Sequence, residues 1–361
     1  MIRRVVTVQI LGCLLLLFTS FFLFPLSAQE VLSVGRSYRS LAMGNTGVAS
    51  ANDSSAIFYN PAVLANVEGW WLDYGSWTAE VSEGFSNEEA ALILAAPSYP
   101  YVNRDGLSDD NKETFLSKET PYLRANAGIT LSANVFKEGF SIAGTYLIET
   151  IITTTSDGNY VYQRDDLIKK YGMSIPFGKG QFVLGLARSD ILRRVAMDAS
   201  SDSESSWGSQ NSGTGYDIGL LYRMANKARI TWGLVAYNYG DMEFSSEIKD
   251  EQSYAFGMSM NHDLGFFRII PAIDIREINS SAAKQNTLHA GLEIGMFPND
   301  TGGSYFNYRI GYNQGYATSG AELNLFNRSM VVGYANYGEE VGEEDAKVES
   351  RRTVYYFSLG F

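Results

Sequence analysis

From residue 68 to the end of the chain, apolar and polar residues alternate in steps of two, segment after segment. In 286–297, Leu288, Ala290, Leu292, Ile294 and Met296 alternate with Thr287, His289, Gly291, Glu293 and Gly295. In 305–313, Phe306, Tyr308, Ile310 and Tyr312 alternate with Asn307, Arg309, Gly311 and Asn313, and 124–135, 214–223 and 228–238 repeat the pattern. A period of two is that of an extended strand with unlike faces. The polar rows are often Gly, Ala, Ser and Asn, small residues that suit a crowded interior; a sandwich face turned to bulk water is usually richer in Lys, Thr and Glu.

Strands are expected near 68–81, 121–135, 139–152, 160–175, 180–193, 213–223, 227–239, 252–263, 266–276, 286–297, 304–313, 317–326, 328–337 and 350–361. The connections between them differ by turns. Phe136–Gly139, Pro176–Gly180, Met224–Lys227, Asp263–Gly265, Pro298–Gly303 and Phe326–Arg328 are short, whereas Met197–Ser212, Gly240–Glu251, Glu277–Lys284 and Gly338–Glu349 are longer and rich in Ser, Asp, Glu and Gly. An even strand number with short turns at one end and long loops at the other is the plan of an all-β, transmembrane antiparallel barrel of about fourteen strands, with the ends of its strand series on the short-turn, periplasmic side. Mean hydropathy of −0.11 fits, because only alternate residues of such a barrel face lipid. One apolar segment, Glu89–Ala96, breaks the parity if it is a strand. It is placed in a long first external loop, 82–120, where Leu92, Ile93 and Leu94 form a candidate capture surface for apolar ligands; the other reading is a hairpin that shifts the count.

Both termini agree with this plan. The final strand alternates Thr353, Tyr355, Phe357, Leu359 and Phe361 with smaller residues, and resembles the closing strand of outer-membrane barrels. In those proteins a terminal aromatic such as Phe361, with Phe357, is the signal to the barrel assembly machinery. At the other end, Arg3 and Arg4 precede an apolar run to Pro25, and Leu26-Ser27-Ala28 offers a cleavage site, so 1–28 reads as a secretory signal peptide. The run is long enough to span a bilayer, which leaves an uncleaved anchor as the alternative. Cys13, the only cysteine, leaves with the signal, which excludes disulfides and thiolate chemistry in the mature chain. Cleavage takes the net charge from −12 to −14, a balance unsuited to nucleic acid.

Before the first strand stand Gly35-Arg36-Ser37-Tyr38-Arg39-Ser40-Leu41-Ala42-Met43-Gly44-Asn45-Thr46-Gly47-Val48-Ala49 and Asn52-Asp53-Ser54-Ser55-Ala56-Ile57-Phe58-Tyr59-Asn60-Pro61-Ala62-Val63-Leu64. This stretch resembles the amino-terminal region of the FadL-like outer-membrane transporters of hydrophobic compounds, a superfamily that includes the long-chain fatty acid transporters and the PorV-type barrels of secretion. The resemblance implies three parts: the signal peptide, a hatch over 29–66 folded back into the barrel, and the barrel over 67–361. It implies passive transport of fatty acids or other hydrophobic molecules, or alternatively a docking role in secretion. The residues themselves favour a compact plug over an exposed arm. Gly44 and Gly47 permit positive φ or close backbone approach, Pro61 fixes its own φ, and Asn60 can bond neighbouring backbone beside Ala62.

No enzyme signature is present: no G-x-S-x-G elbow, phosphate loop or H-E-x-x-H. Only His262 and His289 occur, so no metal or other cofactor is expected. His262 falls at a turn; His289, Glu293 and Arg309 are expected to face the lumen and pair their charges there. Pro271 lies inside a strand, where a missing N–H predicts a kink or bulge. The family resemblance adds that a strand kink can open a lateral route to the membrane. The expected partners are therefore outer-membrane lipid, a hydrophobic small molecule and the assembly machinery, for a protein that works as a monomer.

Overall fold

The strands, in chain order, are β1 Trp70–Ser82, β2 Tyr122–Asn134, β3 Ser141–Thr154, β4 Tyr160–Phe177, β5 Phe182–Ala199, β6 Asn211–Arg223, β7 Thr231–Tyr237, β8 Met242–Glu243, β9 Lys249–Asp250, β10 Ser253–Ser259, β11 His262–Asp263, β12 Phe267–Ile278, β13 Leu288–Pro298, β14 Ser304–Asn313, β15 Tyr316–Leu325, β16 Met330–Glu340 and β17 Glu349–Gly360. They come from a computed structural model that describes residues 32–67, 69–86, 109–135, 140–154, 160–199, 208–225, 229–245, 248–279, 287–298, 303–326, 329–342 and 347–360. The amino-terminal run, the segment 89–96 with Leu92, Ile93 and Leu94, and Phe361 lie outside the described residues.

β8 pairs only with β9, and β11 prolongs β10 along the same neighbour, so the wall has fourteen strands. Neighbours are antiparallel throughout, and β1 meets β17 from Asp73↔Gly360 to Ser82↔Arg352. That pairing closes the ring. Each of the fourteen strands expected from the alternation is present.

Face assignment follows the alternation. Leu184, Leu186, Ile218, Leu220, Leu234, Ile310 and Leu323 are exposed on the outer surface, with Trp70, Phe177, Phe266 and Phe297 near the short turns and Tyr216 and Tyr239 towards the long loops. This is the apolar band with aromatic borders that a bilayer selects. The wall is uneven in height. β4 and β5 have 18 residues each, well beyond the roughly 9–11 that span a bilayer, while β7 has 7. On the outer face of the tall side, Phe115 of the helix Asp109–Leu116 packs on Leu123, Ile152 and Val161, which explains why that upper face is covered.

Pro271 leaves the register of its ladders unchanged. It pairs with Leu292 in an unshifted ladder, and Ser259↔Ala272 and His262↔Ile269 keep one register on its other side. Its missing N–H separates β10 from β11, but its carbonyl still accepts from Met260 N at 3.0 Å, and one such bond holds the alignment. The irregularity lies in β1, whose register slips between Asp73 and Gly75 against β17 and between Asp73 and Ser76 against β2. A slip of one residue also separates Tyr254 from Phe256 against β12.

Candidate functional site

The segment from Leu32 to Val67 lies inside the barrel. It starts in the half with the long loops, where Arg164 Nη1 donates to Leu32 O at 2.9 Å and Arg124 Nη2 to Ser33 O at 3.0 Å. It ends at the short-turn side, where Arg223 Nη2 donates to Asn66 Oδ1 at 2.7 Å just before β1. The hatch therefore runs down the lumen from the end opposite to that of the strand termini. Its regular parts are brief: a helix over Tyr38–Ala42, another over Ala56–Tyr59 and a 3-10 turn over Pro61–Asn66. Most of it is buried and none of it is fully exposed, and irregular backbone at membrane depth is tolerated only in such an enclosure.

Pairs of inward glycines seat the hatch backbone directly on the wall. Gly291 and Gly311 are cross-strand partners, and a Cβ on either would overlap the backbone of Met43 or Gly44. Gly44 itself has φ +69° and presses on the carbonyls of Ala290 and Tyr312, so both its conformation and its contact exclude a side chain. The partners Gly233 and Gly257 receive Val48 in the same way, and the partners Gly185 and Gly219 receive Asn60 to Ala62. Asn60 closes the last seat: its Oδ1 accepts from Ala62 N at 2.9 Å and its Nδ2 donates to Val48 O at 2.9 Å, with Pro61 opening the 3-10 turn. A Cβ on Gly47 would meet the ring of Tyr59.

Between the seats, buried charges tie hatch to wall. Glu293 takes Arg39 Nε at 2.9 Å and Arg309 Nε at 2.6 Å, and Arg309 Nη2 reaches Glu322 at 2.8 Å. Tyr38 also donates to Glu322, and Arg36 pairs with Glu339 at 2.5 Å. Asp274 accepts from the backbone of Gly47 at 2.7 Å and Val48 at 2.9 Å. His289 Nδ1 lies 2.9 Å from both Gly44 O and Asn313 Oδ1, two acceptors that place its proton on Nδ1. Thus His289, Glu293 and Arg309 all face the lumen; the two charges pair, while His289 binds hatch backbone. His262 is half-buried in β11 opposite Ile269. Phe357, half-buried, stacks with Trp77 across the closing seam.

Above the hatch, the β8–β9 ribbon folds inward. Met242 and Phe244 pack with Leu147, Ile168 and Ile191, against Val34 and Phe58 of the hatch. Arg193 holds the ribbon through Asp250 at 2.8 Å while bonding Asp166 at 2.8 Å, with its guanidinium 4.0 Å from the centre of the Phe244 ring. Nothing in the sequence distinguished this loop from one extended into solvent.

Beside the hatch a cavity of about 110 Å³ remains, reaching from Leu147 and Thr78 at mid-lumen to Arg268 and Gly303 at the short-turn side. The hatch loop Asn52–Ser55 and Phe58 form one wall, Trp71, Asp73, Ser76, Asn126, Thr130 and Thr145 of β1–β3 a second, and Glu293, Asn307, Arg309, Glu322 and Asn324 of β13–β15 a third. The β1 slip at Asp73–Ser76 lies directly behind it. Among the described residues, no group of three or more His, Cys, Asp or Glu is placed to hold a metal ion.

No protein-family model matches the chain, and the curated proteins give no match. Solved structures do. The Ralstonia pickettii toluene transporter TbuX is similar with a TM-score of 0.56 at 12% identity, over 91% of this chain and 99% of its own. The monoaromatic hydrocarbon channel CymD gives 0.53 at 11% identity over 92% and 99%, and the deltaS2S3 mutant of the monoaromatic hydrocarbon channel TodX gives 0.52 at 11% over 94% and 100%. At these identities the likeness is one of fold alone, a β-barrel shared along nearly the whole length of each chain.

Proposed function

We propose that the protein is an outer-membrane channel through which hydrophobic small molecules, long-chain fatty acids among them, pass by diffusion without nucleotide or metal. The observation that carries this reading is the seated hatch in a closed barrel whose fold is shared with a toluene transporter and two monoaromatic hydrocarbon channels. A plug held by many separate contacts bars ions and polar solutes, yet each contact is local and breakable. The apolar cluster of Leu147, Ile168, Ile191, Met242 and Phe244 offers an outer station, where burial favours an apolar chain by up to about 0.8 kcal/mol per methylene. A lateral exit fits the β1 slip better than Pro271, because the slip leaves the ladder incomplete and the cavity adjoins it.

On this reading 1–28 is removed by signal peptidase, Phe357 and Phe361 serve barrel assembly, and the monomer works alone in lipid. Proteoliposomes loaded with an acyl-CoA synthetase test the transport. Labelled long-chain fatty acid or toluene should enter faster with the purified protein, and faster still after deletion of 29–66. Absence of protein-dependent uptake in both forms would favour a docking role in secretion instead.

A further inference from the structure

We infer that the cavity beside the hatch binds a small neutral molecule that joins an apolar ring to hydroxyl, carbonyl or amide groups; this narrows the channel reading and rests on it. Size is the first constraint. At about 110 Å³ the cavity has room for a few waters or one small ring, since an apolar cavity of about 150 Å³ takes benzene. An acyl chain needs several times that volume.

Wall chemistry is the second. Trp71 and Phe58 supply aromatic surface, but the β1–β3 side presents Ser76, Thr78, Asn126, Thr130 and Thr145. Thr130 and Thr145 share a hydrogen bond of 2.7 Å and Thr145 Oγ1 also donates to Ile129 O at 3.2 Å, so both protons are spent and the remaining lone pairs are acceptors for a donor such as a phenolic O–H. A polar cavity of this size holds water, and a plain hydrocarbon would strip that water while returning no hydrogen bond. A site built to hydrogen-bond its ligand discriminates strongly against analogues lacking the polar group.

Charge is the third constraint. Each guanidinium on the lining is already engaged, Arg36 with Glu339, Arg39 and Arg309 with Glu293, and Arg268 with Asp263. Asp73 is held by Trp71 Nε1 at 2.8 Å and Ser358 Oγ at 2.8 Å. An ionised carboxylate would meet no uncommitted cation there, and it would face the carboxyl groups of Asp53, Asp73, Glu293 and Glu322 on the same lining.

Equilibrium dialysis of the full mature chain in lipid nanodiscs, with empty nanodiscs subtracted, tests this with phenol, toluene and palmitate. Phenol should bind saturably and about tenfold more tightly than toluene, the worth of one or two net hydrogen bonds. The isosteric pair Thr130→Val with Thr145→Val should erase that preference. Should this pair fail to assemble, Thr78→Val is the substitute. Toluene or palmitate binding as tightly as phenol, or no saturable binding of phenol, overturns the inference. The channel reading is judged separately by uptake: phenol binding without uptake of any solute would leave the site and remove the channel.

Discussion

Glu293 serves two cations with one carboxylate, Arg39 from the hatch and Arg309 from the neighbouring strand. All three side chains are nearly inaccessible, so the loss of this anion leaves two buried guanidiniums short of a partner. Glu293→Ala should destabilise the hatch–wall contact by about 3–5 kcal/mol, the usual cost of breaking a buried pair from one side. Hydrogen exchange is the measurement: amides of residues 38–48 should exchange far faster while those of β4 and β5 stay protected. Gly44 fails differently. With φ +69° and wall carbonyls against its Cα, Gly44→Val combines backbone strain with overlap, a loss of roughly 2–4 kcal/mol. Gly44→Ala should retain most of that defect, because the first carbon is the one that collides.

At the level of elements, the β8–β9 ribbon is tied to the wall by Arg193. The guanidinium bonds both Asp166 and Asp250, and it stacks on Phe244. Arg193→Lys keeps the charge but loses the fork and the flat stacking surface. The expected outcome is proteolysis within 240–252 of the folded protein in intact cells, at protease concentrations that leave the parent uncut. β1 is the other distinctive element. Its central slip separates Asp73 from Ser76 while Trp77 to Val81 remain paired on both sides. Deleting Gly75 should realign the ladders and, on the channel reading, slow uptake of hydrophobic solutes several-fold without loss of the assembled barrel.

For the whole molecule, the ring orders its two ends by connection length. A single cysteine introduced at Gly180, in a short turn, should resist an impermeant maleimide on intact cells, whereas one at Ser245 or Glu349 should react. The reverse pattern would invert the barrel in its membrane and refute the assignment of the long-loop end as external. Planar-bilayer conductance separates plug from pore in the same protein. The parent should conduct little, and the form lacking 29–66 should conduct steadily, since the ionic ties and glycine seats all hold that segment.

The alternation determined the strands, their faces and the even ring, because a one-residue slip would turn every apolar row inwards. The same rule made His289, Glu293 and Arg309 legible as lumen residues, and Gly44 and Asn60 legible as parts of a compact plug. What the linear order did not contain was which inward groups meet. The partners of Arg39, Gly47 and Val48 lie more than 200 positions away, so Glu293 and Asp274 become hatch ligands only once the wall has closed. Pro271 was the visible candidate for a break, yet a carbonyl on its unblocked side preserved the register there, and the slip settled in β1. The direction of the hatch and the inward fold of the β8–β9 ribbon likewise depend on long-range packing. Local periodicity specifies a surface; only the closed surface specifies what fills it.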